Sequence, residues 1–192
     1  MTATIFVVGS FQTLPDIINV KNSIFEVSYS QRLEQPLWLI YSSSNRPSVV
    51  NRKSMDFYTE KNIHTSDGLD YASNVYDKGH LAPAATFSDN MENLKQTFSY
   101  LNCALQNQYL NRGEWRMLEE QIRKWDDSQT LVVKIIMDYS NSSKKLTTGA
   151  TVPDGFHMFI RWSSTNKKEC YYFKNERPTT SWREHKSVTC AH

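Results

Sequence analysis

His80 lies in the run Tyr76-Asp77-Lys78-Gly79-His80-Leu81-Ala82-Pro83-Ala84-Ala85, and Leu110-Asn111-Arg112-Gly113-Glu114-Trp115 and Leu118-Glu119 follow downstream. An imidazole with an ordinary pKa near 6.5 is the side chain best suited to taking a proton from water at neutral pH. An amide oxygen such as that of Asn111 is a hard donor for a cation like Mg2+, which keeps most of its waters and accepts few protein ligands. With the carboxylate of Glu119, these groups are the minimum equipment for hydrolysing a phosphodiester around one metal ion. Each has a plainer reading by itself: a core histidine, a helix cap, and a solvated carboxylate beside Arg123 at i+4.

The elements that must position these groups are partly visible. Trp115, Leu118, Ile122 and Trp125 recur at helical spacing, with Arg116, Glu119, Glu120, Arg123 and Lys124 on other faces, so Asn111 to Trp125 reads as a helix. In a regular helix Glu119 lies about 12 Å of rise and roughly 80° of rotation from Asn111. Both side chains cannot easily grip one ion directly, which leaves Glu119 to act through metal-bound water.

Ser23 to Ser30 alternates apolar with polar, and Pro36 to Tyr41 follows a charged turn; together they read as an antiparallel pair of strands. Thr130 to Asp138 and Gly155 to Trp162 read as buried strands, and Cys170 to Phe173 as a further one. Ser42 to Asp70 reads as a long surface excursion. Asn90 to Asn107 reads as helical at first and then irregular. Helices inserted between groups of strands predict one α+β domain over residues 1–192 with a mainly antiparallel central sheet.

A net charge of +2 over 192 residues excludes a strongly basic coating protein, so any polyanion contact must be local. One candidate is the last third, where Arg161, Lys167, Lys168, Lys174, Arg177, Arg183 and Lys186 interleave with Trp162, Tyr171, Tyr172, Phe173 and Trp182. The cations read equally as a solvated face, and the aromatics more readily as strand core than as base-stacking platforms. No run approaches a membrane span, and none has the form of a secretory leader, so the expectation is a soluble intracellular protein without a membrane partner. The three cysteines include no Cys-x-x-Cys; Cys170 and Cys190 would bridge in an oxidising compartment.

The stretch Tyr76 to Ala85 resembles the Asp-Arg-Gly-His-x-Ala-Pro signature of the DNA/RNA non-specific endonucleases, within the His-Me finger (ββα-metal) superfamily. Asp70-Tyr71, Thr97-Phe98, Asn102 to Gln106, Leu110-Asn111, Trp115, Leu118-Glu119 and Ala150-Thr151-Val152-Pro153 extend the resemblance over roughly residues 25–175. It implies a ββα-metal finger in which His80 is the general base, Asn111 the direct ligand of Mg2+ (or Mn2+) and Glu119 its partner through water. It outweighs the plainer readings of these three residues. The implied activity is sugar non-specific cleavage of DNA and RNA, leaving 5′-phosphate and 3′-hydroxyl ends. The alternative is a module of the same fold that binds nucleic acid and cleaves weakly. The family also includes homodimers.

The chain departs from the family pattern at several positions. Lys78 replaces the usual arginine, exchanging a bidentate phosphate fork for a point charge. Arg52 or Lys53 would supply an upstream phosphate contact, alignment on Phe57 favouring Lys53. Arg112 would reach phosphate or remain a surface cation. Leu101 and Leu105 stand where a small residue and a proline are usual, beside Asn102 and Gln106, which would orient the metal's surroundings or cap turns. Asp77 is expected to anchor its loop.

Overall fold

One row of apolar side chains crosses six strands: Val20, Val27, Leu39, Ile135, Met158 and Tyr171 are successive register partners. The row belongs to an antiparallel sheet in a computed structural model that describes residues 15–187. Its strands are β1 (Ile17–Lys21), β2 (Phe25–Ser30), β3 (Gln35–Ser43), β6 (Leu131–Asp138), β7 (Gly155–Trp162) and β8 (Lys168–Lys174), in that spatial order. The period-two alternation puts Phe25, Tyr29, Tyr41, Val133, Phe156, Ile160 and Phe173 on the same buried face. Helix α3 (Arg116–Trp125) covers this face with Leu118 and Ile122, and Trp115 packs edge-on to Phe173 at a centroid distance of 5.7 Å.

Although β3 and β6 are neighbours in the sheet, residues 44–130 intervene between them in sequence, and this insertion carries every residue expected to act. Within it, β4 (Tyr76–His80) pairs antiparallel with β5 (Cys103–Asn107), forming a separate two-stranded sheet. The connection contains α1 (Met91–Thr97), capped by Asn90, and a 3-10 turn at Tyr100–Asn102. A helical turn, α2 (Gln108–Leu110), then leads through a wide π turn at Asn111–Trp115 into α3. Hairpin followed by helix is the ββα order implied by the resemblance.

The strands expected from alternation and from apolar runs are present, but three others escape those patterns. Cys103–Asn107 is strand, not irregular chain, and β1 and β4 were not anticipated either. All three are short. Tyr-Asp-Lys-Gly-His and Cys-Ala-Leu-Gln-Asn also lack β-branched residues, so they are strands because they pair with each other rather than by propensity. The expected helix from Asn111 begins instead as a π turn, where Gly113 takes φ −106° and ψ −113°.

Trp162, Tyr171, Phe173 and Trp182 are buried in the main core, which rules them out as base-stacking platforms. Among the cations of that region, Lys167 and Lys186 pair with Glu169, while Arg177 and Arg183 lie over Tyr109 and Trp182. Cys103 is free and buried; Cys170 is disulfide-bonded, and Cys190 lies outside the described residues. Among the described residues no helix is long and apolar enough to cross a membrane.

Candidate active site

His80 ends β4 opposite Cys103, with its ring against Phe57 (4.9 Å between centroids) and Phe98 (5.1 Å). Its Nε2 is buried and has no hydrogen-bond partner. Burial, reinforced by the nearby charge of Arg52, pushes the imidazole pKa down to about 4. The ring is therefore neutral at physiological pH, with a nitrogen free to take a proton.

Two features hold the ring's backbone. Asn102 accepts from Ala82 N at 2.7 Å and donates to Ala82 O at 2.9 Å and Thr97 O at 2.8 Å, pinning the turn that follows His80. At Gly79 a Cβ would fall 2.5 Å from Gln106 Oε1 and 2.6 Å from Gln106 Cβ, so the Gln106 side chain lies across the space that glycine leaves open. Both amide atoms of Gln106 are buried without partners.

Asn111 stands at the start of the π turn, and its Nδ2 donates to Asp77 Oδ2 at 2.9 Å. Committing the amide nitrogen to Asp77 turns the carbonyl oxygen the other way. Arg112 forks onto the same carboxylate, Nε to Oδ2 at 2.7 Å and Nη2 to Oδ1 at 2.6 Å. Burial raises the Asp77 pKa, but hydrogen bonds from Arg112 and Asn111 outweigh it and leave the group below its ordinary value.

Glu119 accepts from Trp115 Nε1 at 2.9 Å. Burial pushes its carboxyl up to about 8, against the opposing pull of Arg123 and the Trp115 hydrogen bond. Arg123, one turn further along α3, has a buried Nη1 without a partner.

His80, Asn111 and Glu119 line one cleft of about 540 Å³, together with Arg52, Arg112, Arg116, Glu120 and Arg123. The structure thus brings the three expected chemical residues together with two of the four expected phosphate contacts. Lys53, which alignment on Phe57 favours, is not among the residues lining this cleft. Lys78 is also outside it, lying over the rings of Phe57 (5.2 Å) and Tyr100 (5.5 Å) near Asp56. Asp77, Asn102 and Gln106 do not line the cleft; Asp77 bonds Asn111, and Asn102 bonds the turn that follows His80. Sequence reasoning left Arg116 and Arg123 unassigned as cleft residues, although Arg112, Arg116, Glu119 and Arg123 follow one another at spacings of four, three and four, the mark of a common helix face.

The donors suit a hard, well-hydrated cation. Asn111 presents a neutral amide oxygen with its orientation set by Asp77, and Glu119 lies further along the same wall.

Fold and site together define an antiparallel α+β domain with a hairpin-then-helix unit inserted between two strands of its sheet, and the sequence pattern of the DNA/RNA non-specific endonuclease family matches residues 6–189. The chain belongs to that family. It is 30% identical over 118 residues to mitochondrial Endonuclease G of Bos taurus, covering 57% of this chain and 39% of the relative. It is 29% identical over 103 residues to the mitochondrial nuclease EXOG of Danio rerio, covering 51% and 30%. The chain thus matches well under half the length of these relatives. A crystal structure of an EndoG/EndoGI complex contains the same fold, with TM-score 0.75 and 23% identity over 88% of this chain and 79% of that one.

Proposed function

We propose that the chain is a metal-dependent endonuclease that hydrolyses phosphodiester bonds in DNA and RNA. The observation that carries this reading is the pairing, on one cleft, of a neutral imidazole whose Nε2 has no partner with an amide whose nitrogen is tied down. His80 takes a proton from the attacking water, its ring being held neutral at neutral pH by burial. Asn111 would hold the ion through its amide oxygen, and Glu119 would accept hydrogen bonds from the ion's waters. When bound, Mg2+ or Mn2+ would supply charge stabilisation to the phosphoryl oxygens and the departing 3′ oxygen.

Arg52 and Arg123 supply positive charge along the cleft for the phosphate backbone, while Arg116 lines it paired with Glu120. Because such contacts carry no base information, weak sequence and sugar preference follows; 5′-phosphate and 3′-hydroxyl ends are what the family resemblance implies. The test is metal-titrated cleavage of plasmid and RNA by wild type, His80→Ala and Asn111→Ala. Losses of about 10²- to 10⁴-fold in the first variant are expected. Full activity there would end the mechanism.

A further inference from the structure

We infer that Arg112 is a positioning residue that sets the orientation of Asn111 through Asp77, and is not a grip on substrate. This deepens the proposed function and rests on Asn111 being the protein ligand of the metal.

Three hydrogen bonds converge on Asp77. Its Oδ2 accepts from Asn111 Nδ2 at 2.9 Å and from Arg112 Nε at 2.7 Å, and its Oδ1 accepts from Arg112 Nη2 at 2.6 Å. Asp77 lies on β4 three positions before His80, whereas Asn111 and Arg112 begin the π turn, so the cluster ties the hairpin to the helix side of the finger. Its geometry has two consequences. A side-chain amide can turn end for end, but an acceptor fixed on its nitrogen side leaves the oxygen on the opposite side. A carboxylate this close to the site would also be the hardest ligand available to a divalent cation. The fork from Arg112 occupies both of its oxygens and neutralises its charge, which reserves the inner position for the neutral amide and keeps Asp77 out of it.

The geometry also argues against a phosphate role. A phosphate would have to compete with a short bidentate contact to a carboxylate whose side chain is only 19% exposed. Lysine cannot reproduce that fork, since its ammonium is a single point of charge.

The experiment uses the full chain and Mn2+ as the probe, with binding measured without nucleic acid by electron paramagnetic resonance. Cleavage of duplex DNA is then followed at saturating Mn2+. Arg112→Gln should weaken Mn2+ binding about tenfold, as expected when the partner orienting a metal ligand is lost. The KM for DNA should change by less than about twofold, and Arg112→Lys should fall between the two. In an Asp77→Asn background, Arg112→Gln should have no further effect on Mn2+ binding, the signature of action through Asp77. Unchanged Mn2+ affinity with a raised KM, and a salt dependence weakened by about one phosphate contact, would overturn the inference in favour of direct substrate binding. Tighter Mn2+ binding would overturn it as well, because Asp77 would then have become a ligand. A wild type that neither binds Mn2+ nor cleaves would sink the proposed function itself, whereas an active, metal-binding wild type with Mn2+ affinity unchanged in Arg112→Gln sinks only the positioning role.

Discussion

Trp115 donates its indole N–H to Glu119 at 2.9 Å, so a ring with no exposed surface holds a carboxylate on the cleft wall. The same ring packs against Phe156 of β7 and Phe173 of β8, which makes the sheet's core the reference point for that carboxylate.

Trp115→Phe removes the N–H while keeping much of the apolar volume. We expect about 1–3 kcal/mol of lost stability from the smaller ring and the unpaired carboxylate. The fall in kcat should exceed any change in KM for DNA. Thermal melting and steady-state cleavage check both parts.

Glu119 gives a pH signature to the metal-free protein. Its folded-state pKa of about 8 lies above the unfolded value of 4.5, so its contribution to stability is complete below pH 4.5 and is lost as pH rises through 8. His80 acts in the opposite sense: its pKa of about 4 lies below 6.5, so its contribution is present above pH 6.5 and is lost as pH falls through 4. Between pH 6.5 and 8, Glu119 alone of this pair titrates. Melting in EDTA should show stability falling across that window in wild type and staying flatter in Glu119→Gln. Added Mg2+ should remove much of the difference by favouring the carboxylate.

Arg52 and Lys53 are neighbours in sequence with different placements. Arg52→Ala should raise the KM for nucleic acid, weaken its salt dependence by about one contact, and raise the His80 pKa, because the Arg52 charge helps to lower it. Lys53→Ala should leave all three near wild type. Cleavage kinetics across a salt series and an NMR titration of the His80 ring distinguish the two residues.

Gly79→Ala places a methyl group against Gln106 Oε1 and Cβ, and 3.2 Å from Ala104 O. The hairpin must shift, at a cost of about 1–3 kcal/mol. Because His80 follows directly, kcat should fall as well. Adding Gln106→Ala does not clear the contact at Cβ, so rescue of stability should be partial. Chemical denaturation of the single and double variants tests the clash.

Asn102→Ala removes three hydrogen bonds from a fully buried side chain and leaves Ala82 N, Ala82 O and Thr97 O without those partners. A loss of about 2–4 kcal/mol is expected. Hydrogen exchange should show the Leu81–Ala85 turn opening more readily than β7. Equal protection of the two segments would contradict a pinning role.

Much of this architecture was legible locally. The alternation in β2, the apolar runs of β6 and β7 and the helical spacing of Leu118 and Ile122 follow from the need to bury a face. The ordered motif from Asp77 to Glu119 is likewise a property of the chain itself, and residue types already carry the proposed chemistry of base, amide ligand and carboxylate. Strands β4 and β5 were legible only through the resemblance and not from residue pattern, because neither is strand by propensity and each exists through the other.

The sequence by itself determined which chemical groups are available, their order, and the local periodicity that builds sheet and helix. Only the tertiary structure decided which cations face the cleft, so that Arg52, Arg116 and Arg123 line it while Lys53 and Lys78 do not. It also decided the direction in which the acidities of His80 and Glu119 move, since burial drives each. The convergence of Asn111 and Arg112 on Asp77, more than thirty positions earlier, is of the same kind. The physical reason is common to all three: solvation and charge act through space, and the distances that govern them exist only once separated segments have packed together.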